Sequence, residues 1–211
     1  KNTAYAVFEG HTMGNMKPYV YKTTDLGKTW VNIATNDIPT FARSIQEDFE
    51  NPNLLFLGTE FGLYVSLNGG KVWQQFKNNV PPVAIHAIEL HKKTNDLVLG
   101  THGRGIIILD DISPLRELTE EVKAKKVHFF KTEPKVMSDR NGFGTSADET
   151  EFSGSNGTQS LEIKYYLKKR HTFGKMTMKI YDSQDNEVAT LQPGKSKGIN
   201  IVTWNYSMRM P

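Results

Sequence analysis

An all-β fold is predicted: a partial β-propeller of about three blades over residues 1–131, a linker over 132–159, and an immunoglobulin-like β-sandwich, read as truncated, over 160–211. Three observations carry this. Short strand-like runs recur with a 43-residue period, polar turn boxes punctuate them at fixed offsets, and the repeating segments lack the 3.6-residue apolar spacing of a helical array.

The first repeat supplies "TAYAVFE", "YVYKT" and "TWVNI". The second is complete, with "FARSIQE", "NLLFLGT", "GLYVSL" and "VWQQF", and the third offers "AIHAIELH", "DLVLGT" and "GIIILD" before the pattern changes. Four short strands in 40 to 45 residues, separated by Gly, Asn and Pro turns, is the signature of a propeller blade. "NPNLLFLGTEFGLYVS" lies over "TNDLVLGTHGRGIIIL" with one residue inserted in the turn, so that Gly62 and Gly105 are again 43 apart.

Two boxes mark the turns, "TTDLGKTW" from Thr23 to Trp30 and "SLNGGKVW" from Ser66 to Trp73. Thr23 matches Ser66, Asp25 matches Asn68, Gly27 matches Gly70 and Trp30 matches Trp73, each 43 residues on; Asp111 stands a further 43 beyond Asn68. The Asp or Asn can accept backbone N–H bonds within the turn, Gly supplies a positive φ, and the hydroxyl ties the ends together. Each Trp opens the next strand and is expected to pack on neighbouring strands. Asn replaces Asp without loss of these bonds, which an acid, base or nucleophile would not survive. The box is therefore read as a structural brace.

These segments resemble the Asp-box, or BNR, repeats of sialidases, xyloglucan-cleaving propeller hydrolases and sortilin-type receptors. "GTHGRGIIILDDISPLREL" (Gly100 to Leu118) is similar to the last blade of large secreted bacterial proteins described as sortilin-like or BNR-repeat glycosyl hydrolases, whose propeller is followed by a β-sandwich. The resemblance implies structural boxes, a secreted or periplasmic address and a carboxyl-terminal place in a longer protein. Three blades leave open sheet edges, so further blades of a parent chain are expected as partners. A start at Lys1, almost inside a strand, fits a fragment.

The boxes join third and fourth strands, whereas "GTEFG" (Gly58 to Gly62) and "GTHGRG" (Gly100 to Gly105) join second and third, which puts the two kinds of turn at opposite ends. His102 and Arg104 are singled out as ligand-binding candidates, because an imidazole and a guanidinium on a glycine-rich turn suit a carboxylate or sugar hydroxyls. Arg104 paired with Asp110 or Asp111 is the structural alternative. Glu60, the matching position of the second repeat, is the candidate acid, though no second carboxylate can be assigned to it and glycoside hydrolysis ordinarily needs two.

Other classes are excluded more simply. A net charge of +3 with no Lys/Arg run longer than "KAKK" gives no nucleic-acid or membrane-surface signal. The absence of cysteine removes disulfides and thiolate sites, and the longest apolar run, "GIIIL", is strand-sized. No Walker loop, G-x-S-x-G, H-E-x-x-H or EF-hand loop appears, and the six histidines show no ligand spacing, so neither a metal nor a cofactor is expected. Two functions remain: a module that binds a glycan or a peptide, and a glycoside hydrolase whose carboxylate pair lies mainly outside this chain.

Beyond the third repeat, "DISPLRELTEEVKAKK" predicts a short helix, and "VHFFK" (Val127 to Lys131) a strand completing the third blade. Residues 138–159 are rich in Ser, Gly, Asn and Asp, with Phe143 and Phe152 the only large apolar residues. "LEIKYYL", "KMTMKIYDS", "EVATL" and "INIVTWNYS" then alternate apolar and polar residues as four strands. Met176, Met178 and Ile180 are expected to face Leu161, Ile163 and Tyr165, and Trp204 to lie in the sandwich core.

Overall fold

Apolar runs bracketed by Gly, Asn or Asp become strands throughout this chain. The computed structural model describes residues 2–132 and 160–207; Phe143 and Phe152 lie outside them. Within these residues the protein is all-β, built of several small antiparallel sheets, none closed on itself. The chain divides into two compact units, Lys1–Thr119 and Glu120–Pro211.

The first unit holds three sheets in chain order. The first contains β1 (Ala4–Gly10), β2 (Asn15–Thr23) and β3 (Val31–Asn32). The second contains β4 (Ala42–Glu47), β5 (Leu55–Thr59), β6 (Gly62–Ser66) and β7 (Gln74–Phe76), the third β8 (Ile85–His91), β9 (Asp96–Thr101) and β10 (Ile106–Leu109). Shifted by 43, β2 falls on β6 and β3 on β7. β1 thus occupies the place of β5, and the first sheet carries no counterpart of β4 among the described residues.

Why β5 and β6 read as continuous apolar runs is explained by what covers them. Leu55, Leu57 and Tyr64 join Val20, Ala42 and Trp73 in one cluster, reaching Val7 and Ile33 of the first sheet region. Phe56, Leu63 and Val65 join Ile85, Ile88, Leu97 and Leu99 in another. Successive residues point to opposite faces, and here both faces are covered, as in a layer between two others. The layers touch closely at Gly58, where an added Cβ would stand 2.3 Å from Ser44 Oγ and 2.6 Å from the Ile85 carbonyl oxygen.

The segment after β10 makes two short helices where the sequence predicts one: α1 (Ser113–Glu117) and α2 (Glu120–Ala124), separated because Leu118 leaves helical geometry at φ −75°, ψ 61°. A second difference concerns β11 (Val127–Phe129), expected as a fourth strand beside β10. It pairs instead with β12 (Leu161–Leu167), Phe129 opposite Tyr165, so the third sheet keeps three strands.

The second unit combines the sheet β11-β12-β15 with a hairpin, β13 (Met178–Tyr181) and β14 (Glu187–Leu191); β15 runs from Gly198 to Trp204. Tyr165, Leu167 and Met178 form its core, with Ile163, Met176, Leu191 and Val202 packed around them. Met176 and Met178 thus meet Ile163 and Tyr165 by facing their sheet, not by pairing with it. Trp204 is not in this cluster: its Nε1 donates to the Ser207 carbonyl at 3.2 Å and its ring lies 5.0 Å from Tyr206. The indole sits at the end of an edge strand.

Candidate functional site

The two polar boxes have the same internal wiring. Thr23 Oγ1 donates to Asp25 Oδ1 at 2.8 Å and accepts the Gly27 N–H at 3.0 Å; Ser66 Oγ donates to Asn68 Oδ1 at 2.9 Å and accepts the Gly70 N–H at 2.9 Å. Oδ1 of Asp25 accepts the Thr29 N–H at 2.9 Å, as Oδ1 of Asn68 accepts that of Val72 at 2.9 Å. Gly27 and Gly70 adopt φ of 85° and 92°, open to glycine at little steric cost. The boxes differ at one bond, Thr29 Oγ1 to Asp25 Oδ2 at 2.6 Å, for which Val72 has no hydroxyl. Thr29's hydroxyl and N–H together pull the Asp25 carboxyl down to about 2.

The tryptophans diverge. Trp73 is 2% exposed and its Nε1 donates to the Ile33 carbonyl at 2.8 Å, fastening the second sheet to the first. Trp30, expected to pack in the same way, is 43% exposed and bonds back to Gly27 O at 3.2 Å. No described sheet lies beyond it.

At the other end, the turns after β5 and β9 are placed by one shared bond. The Glu60 N–H donates to the Phe41 carbonyl at 3.4 Å and the His102 N–H to the Ala84 carbonyl at 2.9 Å, the same register one repeat apart. Here Glu60 acquires the partner carboxylate that the sequence left unassigned. Arg43 holds Glu60 Oε2 through Nε at 3.0 Å and Nη2 at 2.8 Å, and approaches Glu9 Oε2 through Nη1 at 3.1 Å. The guanidinium lies 4.8 Å from the Phe41 ring, on which His11 stacks at 4.9 Å and 10°. His11 Nδ1 is 3.3 Å from Glu9 Oε1, off the line of a hydrogen bond.

Chemically this is a clamp. Both carboxylates are engaged by one arginine, whereas hydrolysis of a glycoside needs two carboxyls flanking open space for the scissile bond. Glu60 is thereby held in an ion pair with Arg43.

His102 and Arg104 are exposed on their turn, with Gly103 and Gly105 at φ of 86° and 64° beside them. Among the described residues the Arg104 side chain meets no carboxylate, neither Asp110 nor Asp111. His102 stacks on His86 at 5.6 Å and 22°, a pairing that sequence spacing did not reveal because His86 lies on β8 and His102 on the turn after β9. No group of three or more metal-ligating side chains occurs among the described residues. An open groove of about 640 Å³ is lined by Gln75, Lys77, Asn79, Val80, Pro81 and Pro82. It sits at this same end, because Gln75 Nε2 donates to Phe61 O at 2.8 Å and a Cβ on Gly62 would lie 3.7 Å from Pro81 O.

The arginine that does lock the sheets is Arg116 of α1. Its Nε contacts both oxygens of the buried Asp48, at 2.9 and 3.0 Å, and its Nη1 donates to Asn95 Oδ1 at 2.6 Å. The 68-residue separation hid this pair from the sequence. No protein-family model matches this chain, and no curated protein matches it.

Proposed function

We propose that the first unit is a sector of an Asp-box β-propeller from an extracytoplasmic protein, and that it binds a glycan or a peptide at the end bearing His102 and Arg104, without chemistry of its own. The propeller reading is supported by the succession of layers. β4 neighbours both β1 and β8, and the second sheet contributes one face to each of its neighbours. The second unit, with two sheets about one small core, is consistent with the immunoglobulin-like sandwich the sequence predicts.

One observation carries the functional part: the box side chains are spent on their own turns, whereas His102 and Arg104 are exposed at the other end. In the boxes, Asp25 and Asn68 spend their oxygens on their own turns. At the opposite end a guanidinium and an imidazole are exposed, which suits a carboxylate or hydroxyl-bearing ligand, and an open groove adjoins the Phe61–Gly62 turn. The clamped Glu9 and Glu60 argue against hydrolysis here.

The experiment is titration of the protein with a panel of acidic and neutral polysaccharides and peptides, followed by calorimetry. A binding ligand should lose about tenfold in affinity on Arg104→Ala, one charge-assisted hydrogen bond's worth, and nothing on Asp25→Asn. Turnover of a polysaccharide, or binding indifferent to Arg104, would defeat the reading.

A further inference from the structure

Strand pairing decides which loops meet in the second unit. β11 begins at Val127, opposite Leu167, the last residue of β12, and Leu167 lies opposite Gly198, the first residue of β15. The segments before β11, after β12 and before β15 therefore gather at one end of this sheet. Backbone bonds tie them together, from the Lys168 N–H to Lys126 O at 3.1 Å and from the His171 N–H to Lys195 O at 3.0 Å.

All three segments are basic. The first carries Lys123, Lys125 and Lys126, the second the run Lys168-Lys169-Arg170 and then Lys175, the third Lys195 and Lys197. Over the described residues of the second unit Lys and Arg outnumber Asp and Glu two to one, whereas in the first unit the acids are in slight excess. Glu120 and Glu121 are taken up by Lys123 at 2.7 Å and Lys125 at 3.4 Å. Glu162 faces Lys164, Glu187 faces Lys179, and Asp182 accepts N–H groups of its own turn. Among the described residues no carboxylate lies within ion-pair distance of Lys126, Lys169, Arg170, Lys175 or Lys197, and all five are exposed.

Phe173 stands in the middle of this charge, between Arg170 and Lys175. It is 87% exposed, more than any other large apolar side chain among the described residues. Gly174 turns the chain beside it at φ 78°, and the Gly174 carbonyl accepts Lys195 Nζ at 2.6 Å, so the loop that carries the ring is fastened to the segment before β15.

We propose that this end of the second unit docks on the surface of an anionic phospholipid bilayer, with Phe173 entering the headgroup layer and the free cations resting on lipid phosphates. An exposed phenyl ring alone is ordinary, and a group of lysines alone is a solvated face. Together they match an interfacial anchor, in which an aromatic ring enters the headgroup layer while Lys and Arg sit in the negative surface potential. A soluble polyanion uses the cations but offers the ring no apolar layer to enter. The cations come from three segments well separated in the chain, so neither the net charge nor the short Lys/Arg runs signal the patch in the sequence. The inference concerns the second unit alone and rests neither on the propeller reading nor on the ligand of the first unit.

Co-sedimentation of the 211-residue chain with lipid vesicles tests it. Binding is expected to phosphatidylcholine vesicles containing about one third phosphatidylglycerol and not to phosphatidylcholine alone, and it should weaken about tenfold between about 0.05 and 0.5 M salt. Lys169→Gln/Arg170→Gln should lose about 25-fold, about fivefold for each cation removed. Phe173→Ala should lose about tenfold, and Phe173→Leu should bind nearly as wild type, because a bilayer asks only for an apolar side chain. All three positions are exposed, and circular dichroism with unchanged urea midpoints verifies the fold of each variant. Failure to bind the anionic vesicles overturns the proposal, as does equal binding to phosphatidylcholine alone or a Phe173→Ala variant that binds as wild type. So does a loss in Phe173→Leu equal to that in Phe173→Ala, or tighter binding to a sulfated polysaccharide or a single-stranded oligonucleotide, which would assign the cations to a soluble polyanion.

Discussion

Arg116 grips Asp48 through three contacts of 2.9 to 3.0 Å while its guanidinium lies 4.4 Å from the Phe49 ring, and both side chains are almost wholly buried. Asp48 also accepts the N–H groups of Glu50 and Asn51, so it fixes the turn before β5 at the same time as it receives α1. Removing one partner leaves a buried charge alone, which typically costs about 3–5 kcal/mol. Arg116→Ala is expected to lower stability by that amount in urea unfolding, and Arg116→Lys by less, since it keeps the charge and loses the fork. A loss under about 1 kcal/mol for the alanine variant would show that α1 is not fastened through this pair.

Gly58 is required by space and not by backbone angle, because a Cβ there would meet Ser44 Oγ at 2.3 Å, Ile85 O at 2.6 Å and Ile85 Cγ2 at 2.9 Å. Gly58→Ala should destabilise by about 1–3 kcal/mol, as overpacking does. Combining it with Ser44→Ala removes the first clash but not the backbone one, so only part of the stability should return. Full recovery in the double variant would show that the second and third sheets separate easily at this point.

The two tryptophans provide an internal comparison. Trp73 is enclosed and bonded to Ile33 O, so Trp73→Ala should cost about 3–5 kcal/mol. Trp30→Ala, measured by urea unfolding, should cost within about 1 kcal/mol, since the residue is 43% exposed. Trp73 emission should be blue-shifted and slow to quench with iodide, that of Trp30 the reverse. Equal costs would mean that Trp30 is covered in solution by something within the same chain.

The features legible in the sequence are those written locally. A box spans eight residues, and its bonds run two to four residues along the chain, so the offsets of Thr23, Asp25 and Gly27 are enough to describe it. The strands of the second repeat were legible because both faces are covered and the apolar runs are unbroken. What stayed hidden depends on long-range partners. Arg116 finds Asp48 across 68 residues, and Arg43 reaches both Glu9 and Glu60, so the clamp and the lock have no local pattern. β11 misled for a related reason: "VHFFK" is a strand in any context, and only the pairing of Phe129 with Tyr165 decides which sheet it joins. Trp204 misled because alternation marks a strand face without showing which side chains of that face enter the core, and this indole contacts Ser207 and Tyr206 instead.

The carboxyl of Asp25 makes the box sensitive to acid in a way that Asn68 is not. Its pKa is held at about 2, below the usual 3.8, by the hydroxyl and N–H of Thr29 and by the hydroxyl of Thr23. A carboxyl depressed on folding adds stability that is complete above the unfolded value and disappears as pH falls through the folded one. The window is therefore pH 4 down to about 2. Asp182 in the second unit is lowered too, by the N–H and side-chain amide of Asn186, so the wild type has more than one such group and the comparison must be between variants. Asp25→Asn keeps the Oδ1 acceptor for the Thr29 N–H and removes the titrating group. Urea midpoints taken at pH 6 and at about 2.5 should fall further for wild type than for Asp25→Asn, whereas Asp182→Asn should alter only the second unit's share. If wild type and Asp25→Asn lose the same amount between those pH values, the Thr29 bonds do not hold the carboxylate in solution, and the brace is carried by Thr23 and Gly27 alone.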